Sequence, residues 1–338
     1  MAPFALSGVP ALAKSIAALA ASALSMTVAS PAPPPVQPVI SHDFADPSVL
    51  RAGSAYYAYS TMSRYGTALW HVPVARATHD IGHWTVLHDA MPRLPAWVDH
   101  SAPGDGDVWA PDVSARRDRG YLLYFTARSA EAKIQCIGAA TAASPTGPFM
   151  PAPHPVVCRP RDTNLDAIDP TAFTDTDGAR YLLYSSGAPR TAIWLQRTSR
   201  DGLRPCGAPR KLIVADRDDE AHIVEAPALV RHGRRYVLFY SGNAFNSGRY
   251  FVNYATASSL HERFDQHAGQ LLNTSGLNGA YQNPGGADLP PAPHDNFLVF
   301  HAYTSPSARS LFAVGLRWDN HHHPVLHLST RRVLRVRP

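Results

Sequence analysis

The sequence predicts an all-β protein built as a five-bladed β-propeller. Three observations carry that prediction: a composition suited to many short elements, a Tyr-rich strand pattern that returns five times, and a polar-plus-proline element at a matched offset before each of those strands. The 338 residues are 45% hydrophobic and only 17% charged, which favours a packed core over disorder. The 31 prolines and 22 glycines are spread along the chain, a pattern of short strands and many turns rather than long helices.

The repeat begins at Tyr56-Tyr57-Ala58-Tyr59-Ser60 and returns as Tyr121-Leu122-Leu123-Tyr124-Phe125-Thr126. It follows as Tyr181-Leu182-Leu183-Tyr184-Ser185, Tyr236-Val237-Leu238-Phe239-Tyr240-Ser241 and Phe297-Leu298-Val299-Phe300-His301-Ala302-Tyr303. The period is roughly 60 residues, long enough for one supersecondary unit of a repeat architecture. Ahead of each strand stands, in order, Asp46-Pro47, Trp109-Ala110-Pro111-Asp112, Asp169-Pro170, Glu225-Ala226-Pro227 and Asn283-Pro284-Gly285-Gly286. Turns such as Arg51-Ala52-Gly53, Asp175-Thr176-Asp177-Gly178 and Arg231-His232-Gly233 separate element from strand, so each unit reads as a β-hairpin. A further β-prone run follows, such as Ile134 to Ala140, Ile193 to Arg197 or Tyr250 to Ala255.

Units of three or four antiparallel strands, each too small to bury its own faces, pack as blades around an axis. If the proline elements open the innermost strands, Asp46, Asp169 and Glu225 converge at one mouth of the central channel. A lone Asp-Pro is an ordinary turn pair; it is the five copies in register that give these acids weight. A β-sandwich, with the acids as turn residues, is the competing architecture.

The stretches Asp43-Phe44-Ala45-Asp46-Pro47-Ser48-Val49-Leu50, Val108-Trp109-Ala110-Pro111-Asp112-Val113, Ala167-Ile168-Asp169-Pro170 and Ile223-Val224-Glu225-Ala226-Pro227 resemble glycoside hydrolase family 43. So does Ser144-Pro145-Thr146-Gly147-Pro148-Phe149, and the likeness runs from His42 to about Leu326. The resemblance implies a five-bladed propeller and an inverting mechanism. It also implies a substrate of arabinose- or xylose-containing polysaccharide or oligosaccharide. Cys136-Ile137-Gly138, Val157-Cys158, Ile193-Trp194-Leu195-Gln196 and Tyr240-Ser241-Gly242-Asn243 lean toward the branch that releases α-L-arabinofuranosyl residues. A β-xylosidase, an endo-arabinanase or an exo-galactanase stays open within the same fold, as does a non-catalytic carbohydrate-binding propeller. A retaining fructan- or sucrose-acting propeller also stays open.

Glycoside hydrolysis needs a proton donor to the leaving oxygen and a base or nucleophile opposite it. Glu225, one methylene longer than Asp, is the expected general acid and Asp46 the expected base. Asp169 is expected to keep Glu225 protonated through its own charge. Trp109 and Phe44 are the expected sugar platforms. Arg309 matches a family position whose guanidinium reaches the sugar, a role suited to its planar donors. Trp84, Trp194 and Trp318 read as packing residues. No cofactor is required and no spacing resembles a zinc site. Many family members carry a His tied to a channel ion where this chain has Gly286, so a structural calcium is doubtful; His301 reads as a buried, hydrogen-bonded side chain.

The N-terminus reads as a targeting segment. Lys14 precedes an apolar run from Ser15 to Val28, the size of a signal-peptide core and too short to span a bilayer. The expected organisation is a signal peptide over 1–29, a stiff Pro-rich linker over 30–40 and the propeller over 41–338. Secretion to the extracellular or periplasmic space follows, with no membrane attachment after cleavage. Export permits a disulfide; of Cys136, Cys158 and Cys206, the first two are the favoured pair. The net charge is +5, but the basic residues are scattered, which argues against nucleic acid as a partner. A monomer is expected.

Overall fold

Five four-stranded antiparallel sheets follow one another along the chain, each in simple chain order. In this computed structural model the described residues are 36–78, 80–101, 106–117, 120–158, 165–290 and 296–328. Blade 1 holds β1 (Ser48–Ala52), β2 (Ala55–Tyr59), β5 (Pro73–Ala77) and β6 (Thr85–Asp89), with the hairpin β3 (Ser63–Tyr65) and β4 (Ala68–Trp70) inserted after β2. Blade 2 holds β7 (Val108–Ala115), β8 (Tyr121–Arg128), β9 (Gln135–Ala142) and β10 (Met150–Pro151). Blade 3 holds β11 (Ile168–Thr174), β12 (Arg180–Ser186), β13 (Ala192–Arg197) and β14 (Arg210–Val214). Blade 4 holds β15 (Val224–His232), β16 (Arg235–Gly242), β17 (Phe251–Ala257) and β18 (Asp265–Gln266). Blade 5 holds β19 (Gln282–Asp288), β20 (Phe297–Ser305), β21 (Ala308–Trp318) and β22 (Pro324–His327).

The first strands are the inner ones. β1 touches β7, β7 touches β11, β11 touches β15 and β15 touches β19, and all five blades contribute their proline elements to one narrow axial cavity. The Tyr-rich strands come second in each blade and are buried on both faces, which is why they read as nearly continuous apolar runs. Five apolar clusters fill the five seams between blades. Leu183 and Leu229 meet in the seam of blades 3 and 4, Phe239 and Phe300 in that of blades 4 and 5, and Tyr59 and Phe125 in that of blades 1 and 2. Val49 and Val299 close blades 5 and 1, and Leu122 and Leu182 close blades 2 and 3. No blade buries its faces without both neighbours, so the ring is the folding unit.

The entering chain seals that ring. Ile40 pairs with Leu311, and Phe44 N–H donates to Arg309 O at 2.8 Å, so residues 39–44 run along the edge of β21 that β22 leaves open. The expected signal peptide, and the linker up to residue 35, lie outside the described residues. Within the expected linker, Val36 and Ile40 are buried in blade seams, because their apolar side chains gain more there than in water. Among the described residues no helix is long and apolar enough to cross a membrane. Cys136 and Cys158 are bonded, and Cys206 is free and exposed. Trp84, Trp194 and Trp318 pack against seam clusters as expected.

Candidate active site

Each inner strand carries the same local device. Asp46, Ala110, Asp169, Ala226 and Asn283 stand in the left-handed region, with φ of 49°, 43°, 55°, 49° and 53°, and each is followed by Pro. Proline disfavours the right-handed helical region for the residue before it, and a left-handed non-glycine residue persists only where its surroundings hold it. Here a side chain accepts every one of the five N–H groups. His301 Nδ1 takes that of Asp46 at 3.0 Å, Thr61 Oγ1 that of Ala110 at 2.9 Å and Thr126 Oγ1 that of Asp169 at 3.1 Å. Asp169 Oδ2 takes that of Ala226 at 2.9 Å and Thr274 Oγ1 that of Asn283 at 3.1 Å. The pairing register shifts at this point in blades 2 to 5, the signature of a bulge that re-aims side chains at a strand end.

That device sets the acids at one mouth of the channel. Asp46 and Asp169 occupy the left-handed position itself. Glu225 stands one residue earlier, at the position Trp109 holds in blade 2 and Ile168 in blade 3. All three are half-buried, and their charges bear on one another: Glu225 feels Asp169 first and Asp46 next, and Asp169 feels Asp46. The structure thus brings together the three carboxyls that the sequence singles out.

Their environments differ. Burial alone would raise Asp46, but Arg309, Nη1 of which lies 3.3 Å from Oδ1, and the Thr61 hydroxyl, which donates to Oδ2 at 2.6 Å, together hold it below the usual carboxylate range. His301 adds no charge at neutral pH, since burial holds its pKa at about 3 and its Nδ1 lone pair already accepts the Asp46 N–H. Its role is to hold the backbone. Glu225 is pushed up by burial and by Asp169, against the Tyr250 hydroxyl, which donates to Oε1 at 2.8 Å. Asp169 is raised by burial and by Asp46. One carboxyl is therefore poised as an anion and another as an acid.

The remaining expected residues divide. Arg309 reaches the site through Asp46. Trp109 is half-buried at the start of β7. Phe44 is a correction: it is 0% exposed and packs with Ile40, Val49 and Phe297 in the seam of blades 5 and 1, so no ring face is left for a sugar. An aromatic that sequence reasoning passed over stands nearby. Phe245, in the loop after β16, is 44% exposed, and the Arg309 guanidinium lies 5.4 Å from its ring centroid, within cation–π range. Tyr250, Thr61 and the channel acids Asp112 and Asp288 also went unread, although Asp112 sits inside the second proline element and Asp288 two residues beyond the fifth.

Gly286 explains itself. A Cβ there would lie 2.8 Å from His301 Nδ1 and 3.3 Å from the Asp46 Cα, so only glycine admits the His301 ring. The residues therefore do not supply, at this point, the imidazole that the resemblance ties to a channel ion. Among the described residues no group of three or more His, Cys, Asp and Glu could hold a metal.

Three carboxyls of unequal acidity thus stand together in a five-bladed propeller, with Arg309 beside Asp46 and the exposed Phe245 beside Arg309. The sequence matches glycosyl hydrolases family 43 over residues 36–324, and the chain belongs to that family. It is 27% identical over 301 residues to an extracellular endo-alpha-(1->5)-L-arabinanase of Bacillus subtilis, covering 86% of this chain and 88% of that one. It is 24% identical over 310 residues to the extracellular exo-alpha-(1->5)-L-arabinofuranosidase ArbA of Cellvibrio japonicus, covering 82% and 84%. The crystal structure of a thermostable family-43 glycoside hydrolase shares the fold with a TM-score of 0.71 at 23% identity, over 87% of this chain and 96% of that one.

Proposed function

We propose that the protein is a secreted, inverting glycosidase that releases α-L-arabinofuranosyl units from plant cell-wall polysaccharide. The observation that carries this reading is the split in acidity between Asp46 and Glu225. With the sugar between them, Glu225 gives its proton to the glycosidic oxygen as the bond to the anomeric carbon breaks. Asp46 takes a proton from the water that attacks the opposite face, and the products are an alcohol and a hemiacetal of inverted configuration. Asp169 keeps Glu225 protonated, and its grip on the Ala226 N–H fixes the strand beside Glu225. Arg309 holds Asp46 ionised and offers its remaining donors to sugar hydroxyls.

The arabinose preference draws on the two relatives named above, and secretion on the apolar N-terminal run together with their extracellular names. An endo-acting arabinanase is the second reading, favoured by the Bacillus subtilis relative. Incubation with arabinan, arabinoxylan and galactan side by side separates the readings. Free arabinose from arabinan alone is the expected product; a ladder of oligomers would turn the assignment to endo action. Release of xylose only would overturn the arabinose reading, and proton NMR of the first product anomer would expose a retaining mechanism.

Phe245 is the platform this reading needs beside Arg309. Phe245→Ala is expected to remove about 1 kcal/mol of stacking, roughly a fivefold rise in KM, with kcat nearly unchanged because the contact is made equally before and during bond cleavage. An unchanged KM would remove Phe245 from the site.

A further inference from the structure

Five residues ahead of Glu225 stands a buried carboxyl that takes no part in the chemistry described above. Glu220 closes the short 3₁₀ turn Asp218–Glu220 and is 0% exposed. Its carboxylate accepts three hydrogen bonds. The Tyr240 hydroxyl donates to Oε1 at 2.9 Å, Gln266 Nε2 to the same oxygen at 2.6 Å and the Arg217 N–H to Oε2 at 3.1 Å. The Tyr240 oxygen itself accepts from Asn253 Nδ2 and Gln266 Nε2, each at 3.1 Å, so its own proton is directed at Glu220. A carboxylate leaves water only where such donors replace it, and a fully bonded buried network holds its members rigidly.

The backbone of that turn carries two loops of the catalytic mouth. Val224 pairs with Gly242 and Glu225 with Ser241, so the bend before β15 and the loop after β16 leave the sheet side by side. The Glu220 carbonyl accepts the Ile223 N–H of the first at 2.9 Å and the Asn243 N–H of the second at 3.1 Å. Asn243 Nδ2 adds a bond to Asp219 O at 2.9 Å. Between Glu220 and Glu225 the chain passes through Ala221 and His222, both exposed and both left-handed, with φ of 47° and 69°. Two successive non-glycine residues in that region persist only where their flanks hold them. One flank is the Glu220 turn. The other lies in blade 3, where Thr191 N–H donates to His222 O at 3.0 Å and Thr191 Oγ1 accepts the Val224 N–H at 2.6 Å. Past Asn243, left-handed at φ 74°, the second loop brings Phe245 to Arg309.

An apolar side chain would fill this place at a lower cost in desolvation. What the carboxylate adds is direction, because it fixes the turn whose carbonyl both loops share. We propose that Glu220 is a positioning residue that sets the proton donor Glu225 and the sugar platform Phe245 together, through the two loops anchored on its turn. The proposal rests on the roles given above to Glu225 and Phe245. It couples them: a disturbance at Glu220 moves the acid and the platform at once.

The test is a double-mutant cycle of Glu220→Gln and Phe245→Ala on the polysaccharide the protein cleaves, arabinan by the reading above, run beside hydrogen exchange. Glutamine keeps the shape and an oxygen for Tyr240 and Gln266, but turns an amide on the Arg217 N–H, donor against donor. Glu220→Gln should lower kcat about tenfold, since a small misplacement of a reacting group is costly, and raise KM about threefold as Phe245 loses its stance. In the Phe245→Ala background it should still lower kcat but leave KM at the value of Phe245→Ala alone, because the ring it positions is gone. Tyr240→Phe, which removes another of the three bonds, should give the same pattern. An equal rise of KM in both backgrounds, or a kcat loss no larger than the loss of folded protein by circular dichroism, overturns the proposal. The Ile223 and Asn243 amides should exchange about tenfold faster in both variants while those of β8 keep their rates. Unchanged exchange of that pair overturns the proposal whatever the activity. A wild type inactive on arabinan, arabinoxylan and galactan, whose paired amides still loosen in Glu220→Gln, would sink the glycosidase reading and sustain Glu220 as the anchor of both loops.

Discussion

Glu225→Gln should lower kcat by about 10²- to 10⁴-fold, the usual worth of a positioned general acid, while sugar binding changes little. The amide keeps the shape and accepts the Tyr250 hydroxyl but has no proton to give. A normal rate in this variant would remove Glu225 from the mechanism. The pH profile separates its role from a structural one. Activity needs Asp46 ionised and Glu225 protonated, so the rate should rise at low pH as Asp46 loses its proton and fall at high pH as Glu225 loses its own. Arg309 and Thr61 move the first limb down, and burial with Asp169 moves the second limb up. The two limbs belong to the coupled carboxyls rather than to either alone. Tyr250→Phe removes a bond that favours the Glu225 anion, so the alkaline limb should move further up. Asp169→Asn removes a negative charge, so that limb should move down. Shifts in opposite directions from two neighbours of one carboxyl are hard to obtain from damage to the fold.

The architecture was open to reading because it repeats. Five Tyr-rich strands are five second strands, buried on both faces by the same seam geometry, and the proline elements ahead of them are five inner-strand openings. Asp46, Asp169 and Glu225 were legible for that reason: Asp46 and Asp169 stand at the residue whose backbone conformation the following proline helps set, and Glu225 stands one residue before it. Phe44 was misread because spacing along a strand fixes the face of a side chain only where the strand is regular. Just ahead of the left-handed Asp46, the entering chain pairs with β21 at Arg309, and the Phe44 ring turns into the seam. Phe245 and Tyr250 were invisible for another reason. They lie in and after the loop that follows β16, and which rim that loop covers depends on the closure of the ring, a property no local pattern carries. The one-residue offset of Glu225 from the Asp position is written in the sequence as Glu-Ala-Pro against Asp-Pro, but its consequence appears only once the bulges are aligned.

Asp288→Asn should make the protein more stable at pH 8 than the wild type, with little change near pH 4. Asp288 and Asp112 line the axial channel below the catalytic mouth. The Asp288 carboxylate accepts the Val49 N–H at 2.7 Å, and that of Asp112 accepts the Ala172 N–H at 2.9 Å. The hydrogen bonds that these carboxyls accept do not offset the loss of water. Burial raises Asp112 to about 7, and burial with the charge of Asp112 raises Asp288 to about 8. In the unfolded chain both titrate near 4. The folded state therefore holds protons that the unfolded state releases. The contribution of these groups is complete below pH 4, declines as the pH rises, and is gone once the pH passes 7 to 8. Each retained proton tilts stability by about 1.4 kcal/mol per pH unit, and access of water to Asp288 along the channel trims its share to about 1–3 kcal/mol. Asparagine keeps an oxygen for the Val49 N–H and has nothing to ionise. Urea midpoints at pH 4, 6 and 8 should fall steeply for the wild type and less steeply for the variant, with Asp112, Asp169 and Glu225 supplying the slope that remains. Parallel curves for the two proteins would mean that Asp288 is already ionised in the channel at neutral pH, and the same would then be in question for Glu225 a few residues along the axis.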